Sequence, residues 1–295
     1  MPERDRYIPG VPCWIDATEP DPDAAVAFYR GLFGWEFEDV MPAGSPARYF
    51  IARIRGGDVA GIGSEPEEPS TAAWNTYVWV DDADETAARA VAAGGRQLME
   101  PFDVMDEGRM AVLMDPEGAE FRLWQPRRHR GAKIVNEAGS LNFNGLNTRD
   151  PAAAKSFYGS VFGWQTLMVD GAELWTLPGY GDHLERENPG IRERIAAMGA
   201  TPGFEDVVAS ILPIPQDQPH TAPHWNVTFA VDDADATAGK ATELGGKVVI
   251  PPFDAPWVRM TVLADPQGAT FIASRFVPEN RHLAGPSQTS AGASG

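Results

Sequence analysis

The sequence predicts an α+β protein made of two copies of one domain, each copy holding two strand–helix–strand–strand–strand units. Three observations predict it. "FYRGLFGW" (28–35) returns as "FYGSVFGW" (157–164). "WNTYVWVDDADETAARAVAAGG" from Trp74 returns as "WNVTFAVDDADATAGKATELGG" from Trp225. "RMAVLMDPEGAEF" from Arg109 returns as "RMTVLADPQGATF" from Arg259. Self-similarity carried along most of a chain is the signature of a duplicated unit. The offset grows from 129 residues at Phe28 and Phe157 to 151 at Trp74 and Trp225, so copy two carries an insertion, placed at 181–203. Its middle has helix-forming character.

Each element has a local reason. "VPCWIDAT" and "SLNFNGLN" read as the opening strands of the copies. Asp21-Pro22 then opens a helix with an N-cap and a proline in the first turn. Ala25, Phe28, Tyr29, Leu32 and Phe33 form its apolar stripe at helical spacing, and Gly34 ends it. Asp150-Pro151, Ala154, Phe157, Tyr158, Val161, Phe162 and Gly163 repeat that plan. The second unit of copy one follows with strand "TYVWV", an Asp-capped helix ending at Gly94-Gly95, and strands through "MAVLM" and "EFRLW".

Composition bounds the rest. A length of 295 residues suits two ordinary domains, and 43% apolar with 22% charged residues is that of a soluble globular chain. The absence of an 18-residue apolar run argues against a membrane span. "MPERDRYIPG" lacks an apolar signal region, and residues 1–10 are expected to be flexible. One cysteine, Cys13, precludes an internal disulfide and fits a reducing cytoplasm. A net charge of −18 argues against nucleic acid and anionic membrane as partners. "RRHR" at 127–130 reads as the start of a solvated linker (129–138), and 277–295 as a disordered tail.

The order of units, "FYxxxFGW", "VDDxDxTxxxxxxxGG" and "DPxGxxF" resemble the vicinal oxygen chelate superfamily, the glyoxalase, bleomycin-resistance and extradiol dioxygenase group. The resemblance spans 11–128 and 139–276 and is nearest to tandem actinobacterial members. It implies that the two units of each copy pair into a half-open eight-stranded barrel around a cavity. In metal-dependent relatives His, Gln or Glu ligands come from the first and last strand of each unit. Here the first-strand positions fall on Trp14 and Phe143, with Asn75 and Asn226 in the second units, and the last-strand positions on Arg122 and Ile272. An indole, a phenyl ring, an isoleucine and a guanidinium do not ligate a divalent ion. No metal and no cofactor are therefore expected. His220-x-x-x-His224 has metal-pair spacing on a helix, but Pro219 and Pro223 argue against a helix there. His129, His183 and His282 read as surface residues.

Strand alternation puts residues two apart on one face. Cavity one would then be lined by Trp14, Asp16, Thr18, Asn75, Tyr77, Trp79, Glu120, Arg122 and Trp124. Cavity two would be lined by Phe143, Gly145, Asn147, His224, Asn226, Thr228, Thr270, Ile272 and Ser274. The larger, more polarised groups of copy one mark it as the expected working pocket, for a planar, partly apolar molecule. The same aromatics could instead fill the barrel, with Arg122 bridging Asp16 or Glu120 to offset the cost of burial. Three functions follow: a metal-free binding protein of the sequestration or resistance type; a metal-free isomerase- or lyase-like enzyme using Asp16, Glu120 and Arg122; or a metal-dependent glyoxalase or dioxygenase with other ligands. Cys13 faces the helices and reads as a small buried hydrophobe. Two copies in one chain supply internally the twofold that relatives reach by dimerising, so a monomer is expected.

Overall fold

A computed structural model describes residues 3–64 and 71–284. The first domain runs β1 (Pro12–Thr18), α1 (Pro22–Phe33), β2 (Glu36–Asp39), β3 (Tyr49–Ile54), β4 (Gly57–Gly63), β5 (Ala73–Trp79), α2 (Ala83–Ala92), β6 (Arg96–Val104), β7 (Gly108–Met114) and β8 (Glu120–Pro126). The second runs β9 (Leu141–Thr148), α3 (Pro151–Phe162), β10 (Gln165–Val169), β11 (Ala172–Thr176), α4 (Tyr180–Glu187), α5 (Ile191–Ala197), β12 (Val207–Pro213), β13 (His224–Ala230), α6 (Ala234–Glu243), β14 (Lys247–Ala255), β15 (Val258–Ala264) and β16 (Thr270–Phe276). The insertion is the α4–α5 pair, which stands between β11 and β12 where copy one has only a tight turn. Among the described residues no helix is long and apolar enough to cross a membrane.

Each domain is one eight-stranded mixed sheet, in the orders β2-β3-β4-β1-β5-β8-β7-β6 and β10-β11-β12-β9-β13-β16-β15-β14. The two units of a domain meet where β1 pairs antiparallel with β5, and β9 with β13. This is an open, curved sheet, which we call a cup, with helices on its convex side. The helices begin and end as their sequences dictate. Asp21 accepts the Ala24 amide and Gly34 closes α1 at φ 70°; Asp150 and Gly163 (φ 73°) do the same for α3. A left-handed φ costs glycine nothing, which is why both helices stop there.

The domains interlock reciprocally through these helices. Tyr29 of α1 donates to Asp265 of domain two (3.1 Å), and Tyr158 of α3 donates to Asp115 of domain one (3.1 Å). Trp35 Nε1 donates to the Gly139 carbonyl and Trp164 Nε1 to the Gly10 carbonyl, both at 2.8 Å. The repeated "FYxxxFGW" phrase is thus the domain–domain contact written twice. Its aromatic rings form one continuous core with Phe229, Phe271, Phe121, Trp74 and Trp225.

Three segments differ from expectation. The N-terminal stretch is tied down: Tyr7 is buried and donates to the Ala132 carbonyl, and Arg4 Nη1 donates to Tyr180 Oη at 2.6 Å. The linker is not uniformly solvated, because Ala132, Ile134 and Val135 are buried. Pro278–Leu283, the start of the expected tail, forms a 3-10 helix held by Asn280 Nδ2 on the Val258 carbonyl. Residues 285–295 lie outside the described residues. His183, read as surface, is buried and stacked on Tyr180.

Candidate functional site

Register brings the nine expected side chains of cup one onto one face. Trp14 stands opposite Tyr77 and Asp16 opposite Asn75 across β1–β5; Tyr77 meets Arg122 and Trp79 meets Trp124 across β5–β8. They do not line an open cavity. Trp14 is 2% exposed and Arg122 6%, and Asp16, Tyr77, Trp79 and Trp124 are equally enclosed.

A polar cluster fills the middle of this cup. Asp16 Oδ2 accepts from Tyr77 Oη (2.6 Å) and Tyr49 Oη (3.0 Å), while Oδ1 accepts from Asn75 Nδ2 (2.9 Å). Arg122 Nη1 donates to Tyr77 Oη (2.8 Å) and lies 3.6 Å from Asp16; Nη2 lies 3.5 Å from Glu120 at the rim. Asn75 also donates to Thr18 Oγ1 at 3.0 Å. Burial by itself would lower the Arg122 pKa; the neighbouring Tyr77 and Asp16 outweigh it, so the guanidinium stays charged. Burial likewise drives the Tyr77 phenol upward, despite the opposing pull of Arg122. Each charge is compensated, which makes a buried charged cluster tolerable.

Two contributors to this cluster were not read from sequence. Tyr49, from β3, crosses the sheet to reach Asp16 and also accepts from Trp14 Nε1 at 3.1 Å. It fits because Gly61 and Gly63 of β4 carry no Cβ, and one at either place would collide with the Tyr49 ring or hydroxyl. That Gly-x-Gly alternation in a strand was the available signal, since interior strand glycines mark close approach. The second is His129. The chain leaving β8 folds back over the mouth, its amide donating to the Glu107 carbonyl. The imidazole packs edge-on to Trp14 (4.3 Å) and near Trp124 (5.7 Å). Its Nε2 is buried without a hydrogen-bond partner, and burial lowers its pKa to about 4, so the ring is neutral at physiological pH. Arg127, Arg128 and Arg130 stay exposed around it.

Cup two has the same backbone and other side chains. Tyr49, Tyr77, Arg122 and Trp124 correspond to Ala172, Thr228, Ile272 and Ser274. Phe143, Asn226, Ile272, Met260 and Val262 are half-buried, and Phe253 (39%) and Phe276 (53%) are exposed. Register puts them on one face: Phe143 opposite Thr228, Thr228 opposite Ile272, Ile272 opposite Val262, and Phe253 opposite Met260. Gly145 has no side chain, and a Cβ there would press on Ser210 and Asn226. His224 is exposed at the rim and within 3.2 Å of Asn147 Nδ2. Among the described residues no histidine folds over this mouth. Instead Trp257, in the β14–β15 turn, donates to Asp170 of the β10–β11 turn at 2.6 Å and lies parallel to Phe276. Trp257 has φ 69°, a left-handed conformation that costs a bulky residue about 1–2 kcal/mol and that glycine would adopt freely. The floor side chains of the second cup thus stay partly exposed, whereas the matching aromatic and charged side chains of the first are buried.

Neither cup fits a divalent ion. Among the described residues no three His, Cys, Asp or Glu side chains converge. In cup one the fixed Arg122 cation already occupies the place beside Asp16, and in cup two the corresponding side chain is that of isoleucine.

A glyoxalase-like domain family matches residues 14–124, and the glyoxalase/bleomycin resistance protein/dioxygenase superfamily matches 140–272. Among curated relatives, the protein named glyoxylase CFP32 of Mycobacterium tuberculosis (strain CDC 1551 / Oshkosh) is 38% identical over 283 residues, covering 95% of this chain and all of the relative. The anthracycline biosynthesis protein DnrV of Streptomyces peucetius is 33% identical over 282 residues, covering 90% of this chain and 93% of that protein. Among solved structures, the Mn(II)-bound glyoxalase from Novosphingobium aromaticivorans aligns over 90% of this chain and 82% of its own, at TM-score 0.56 and 16% identity. The 2,3-dioxygenase LapB from Pseudomonas sp. KL28 aligns over 91% and 93%, at TM-score 0.57 and 12% identity. At such identities the structural likeness concerns the fold alone.

Proposed function

From a chain that belongs to the glyoxalase/bleomycin resistance protein/dioxygenase superfamily, yet lacks metal donors at its ligand positions, we propose metal-independent binding of a small planar aromatic molecule, of the sequestration type, in the cup of the second domain. The observation that carries this reading is the difference between the cups: one is packed with its own side chains, the other leaves apolar floor residues half-buried and Phe253 and Phe276 exposed. Large exposed apolar patches mark binding surfaces. Phe143, Met260, Val262 and Ile272 supply a flat floor, and Asn226, Asn147 and His224 supply polar groups at one end. Stacking on Phe276 or Trp257 would contribute about 0.5–1.5 kcal/mol per aromatic contact beyond area burial. The name of the relative DnrV, an anthracycline biosynthesis protein, supports the planar aromatic part of this reading alone, since anthracyclines are built on a fused-ring quinone.

The enzyme reading built on Asp16, Glu120 and Arg122 meets an obstacle. Asp16 is buried and already accepts from Tyr49, Tyr77 and Asn75, so a substrate atom would have to compete with these donors inside a closed cluster.

An anthraquinone probe titrated into EDTA-treated protein should quench tryptophan fluorescence to saturation with one-to-one stoichiometry. Ile272→Arg, which places a charge in the apolar floor, should weaken binding by about a hundredfold, since an uncompensated polar group at such a contact costs about 1–3 kcal/mol. Loss of binding on metal removal, or unchanged affinity in Ile272→Arg, would refute the proposal.

A further inference from the structure

We propose that Glu19 and Asp265 share one proton across the domain interface, so that the junction between the two domains is a buried proton-binding site whose release at alkaline pH loosens it. Glu19 follows β1 and is fully buried, at 0% exposure. Its amide donates to the Gly63 carbonyl at 2.8 Å, which fixes the backbone there. Neither carboxyl oxygen has a hydrogen-bond donor within reach. The titratable groups that face it are Asp265, from the turn between β15 and β16, and Tyr29, from α1. Among the described residues no arginine, lysine or histidine joins them.

Asp265 is already rich in donors. Its Oδ1 accepts the backbone amides of Gln267 (2.9 Å), Gly268 (2.8 Å) and Ala269 (3.0 Å), and its Oδ2 accepts the Tyr29 hydroxyl at 3.1 Å. Two carboxylates side by side in a dry interface cannot both be ionised. The donors identify Asp265 as the ionised partner, so the proton belongs to Glu19. As a carboxylic acid, Glu19 becomes the donor that satisfies both groups. Burial first, and Asp265 second, raise the Glu19 pKa to about 10.

The pseudo-twofold provides an internal control. At the matching place Asp115 accepts the amides of Glu117 and Ala119 and the Tyr158 hydroxyl. The position of Glu19 is there taken by Thr148, whose hydroxyl donates to Glu117. The position of Glu117 is in turn taken by Gln267, which accepts the Asp21 amide (2.7 Å) and donates to the Asp21 carbonyl (2.8 Å). The same junction is thus closed once by a neutral hydroxyl and once by a buried acid. Of the two, only the second leaves a carboxyl group without a donor.

The linkage has a definite sign. Unfolded Glu19 loses its proton near the ordinary glutamate range, whereas the folded chain keeps it. The stabilisation is fully present below that range and is lost as pH rises toward 10. Glu19→Gln keeps a donor to Asp265 and does not titrate. Thermal and denaturant unfolding of the full chain at pH 5 to 9 should show wild type losing stability relative to Glu19→Gln as pH rises. The ratio of their unfolding constants should change by up to about tenfold per pH unit. Infrared spectroscopy of the wild type at pH 7.5 should show the carbonyl stretch of a protonated carboxylic acid, absent in Glu19→Gln; the choice of pH 7.5 is about three units above the ordinary glutamate pKa. If Glu19→Gln does not fold, Glu19→Thr, the solution copy two already uses, replaces it in both measurements. Parallel pH profiles with no infrared band would overturn the proposal. So would full rescue of the wild type at pH 9 by added sodium, magnesium or calcium ions, because a cation and not a proton would then bridge the pair.

Discussion

Arg122→Ala should lower the unfolding free energy by about 3–5 kcal/mol, measured by denaturant titration at pH 7, because it strands the Asp16 charge in a dry cup. Tyr49, Tyr77 and Asn75 still donate to Asp16, which favours the lower end of that range. The cost lies in the uncompensated charge and not in the size of the side chain. The double variant Asp16→Asn with Arg122→Met should therefore recover most of the loss, a coupling read from the double-mutant cycle. If the double variant is as unstable as the sum of the singles, cup one is not held by charge compensation.

Trp164→Ala should cost a further large amount, about 3–5 kcal/mol, the range for truncating a buried tryptophan. Trp164 stacks on Tyr158 at 5.5 Å and 20°, packs against Trp175 at 5.4 Å, and donates to the Gly10 carbonyl of the other domain. Because it ties the domains together, calorimetry should show both domains destabilised. A variant in which only the second domain loses stability would mean that the interface contributes little.

Much of the fold was legible because it is local and repeated. Asp21-Pro22 with Gly34 fixes α1 from adjacent residues, and duplication shows the same device at Asp150-Pro151 and Gly163. Strand alternation correctly grouped Trp14, Asp16, Tyr77 and Arg122, since a period of two places them on one face whatever the rest of the chain does. Whether that face is open depends on contacts from elsewhere. Tyr49 arrives from β3 through room left by two glycines. His129 arrives from a stretch that composition marks as solvated. Neither approach has a periodicity to read. Residue size also misled: the bulky groups of copy one suggested a large cavity, but they reach one another and close it, while the smaller groups of copy two leave their floor partly exposed. The Glu19–Asp265 contact joins residues at opposite ends of the chain, and its acid-on-acid pairing runs against every sequence rule for partners.

The most direct test of metal-free binding in cup two is a crystal structure of the protein, purified in EDTA, with the anthraquinone probe bound. The account places the probe against Phe143, Met260 and Ile272, beside Trp257, with His129 still seated between Trp14 and Trp124 and no metal density. A probe lodged on Arg122 and Tyr77 with His129 swung out, or one held by a metal ion, would contradict it.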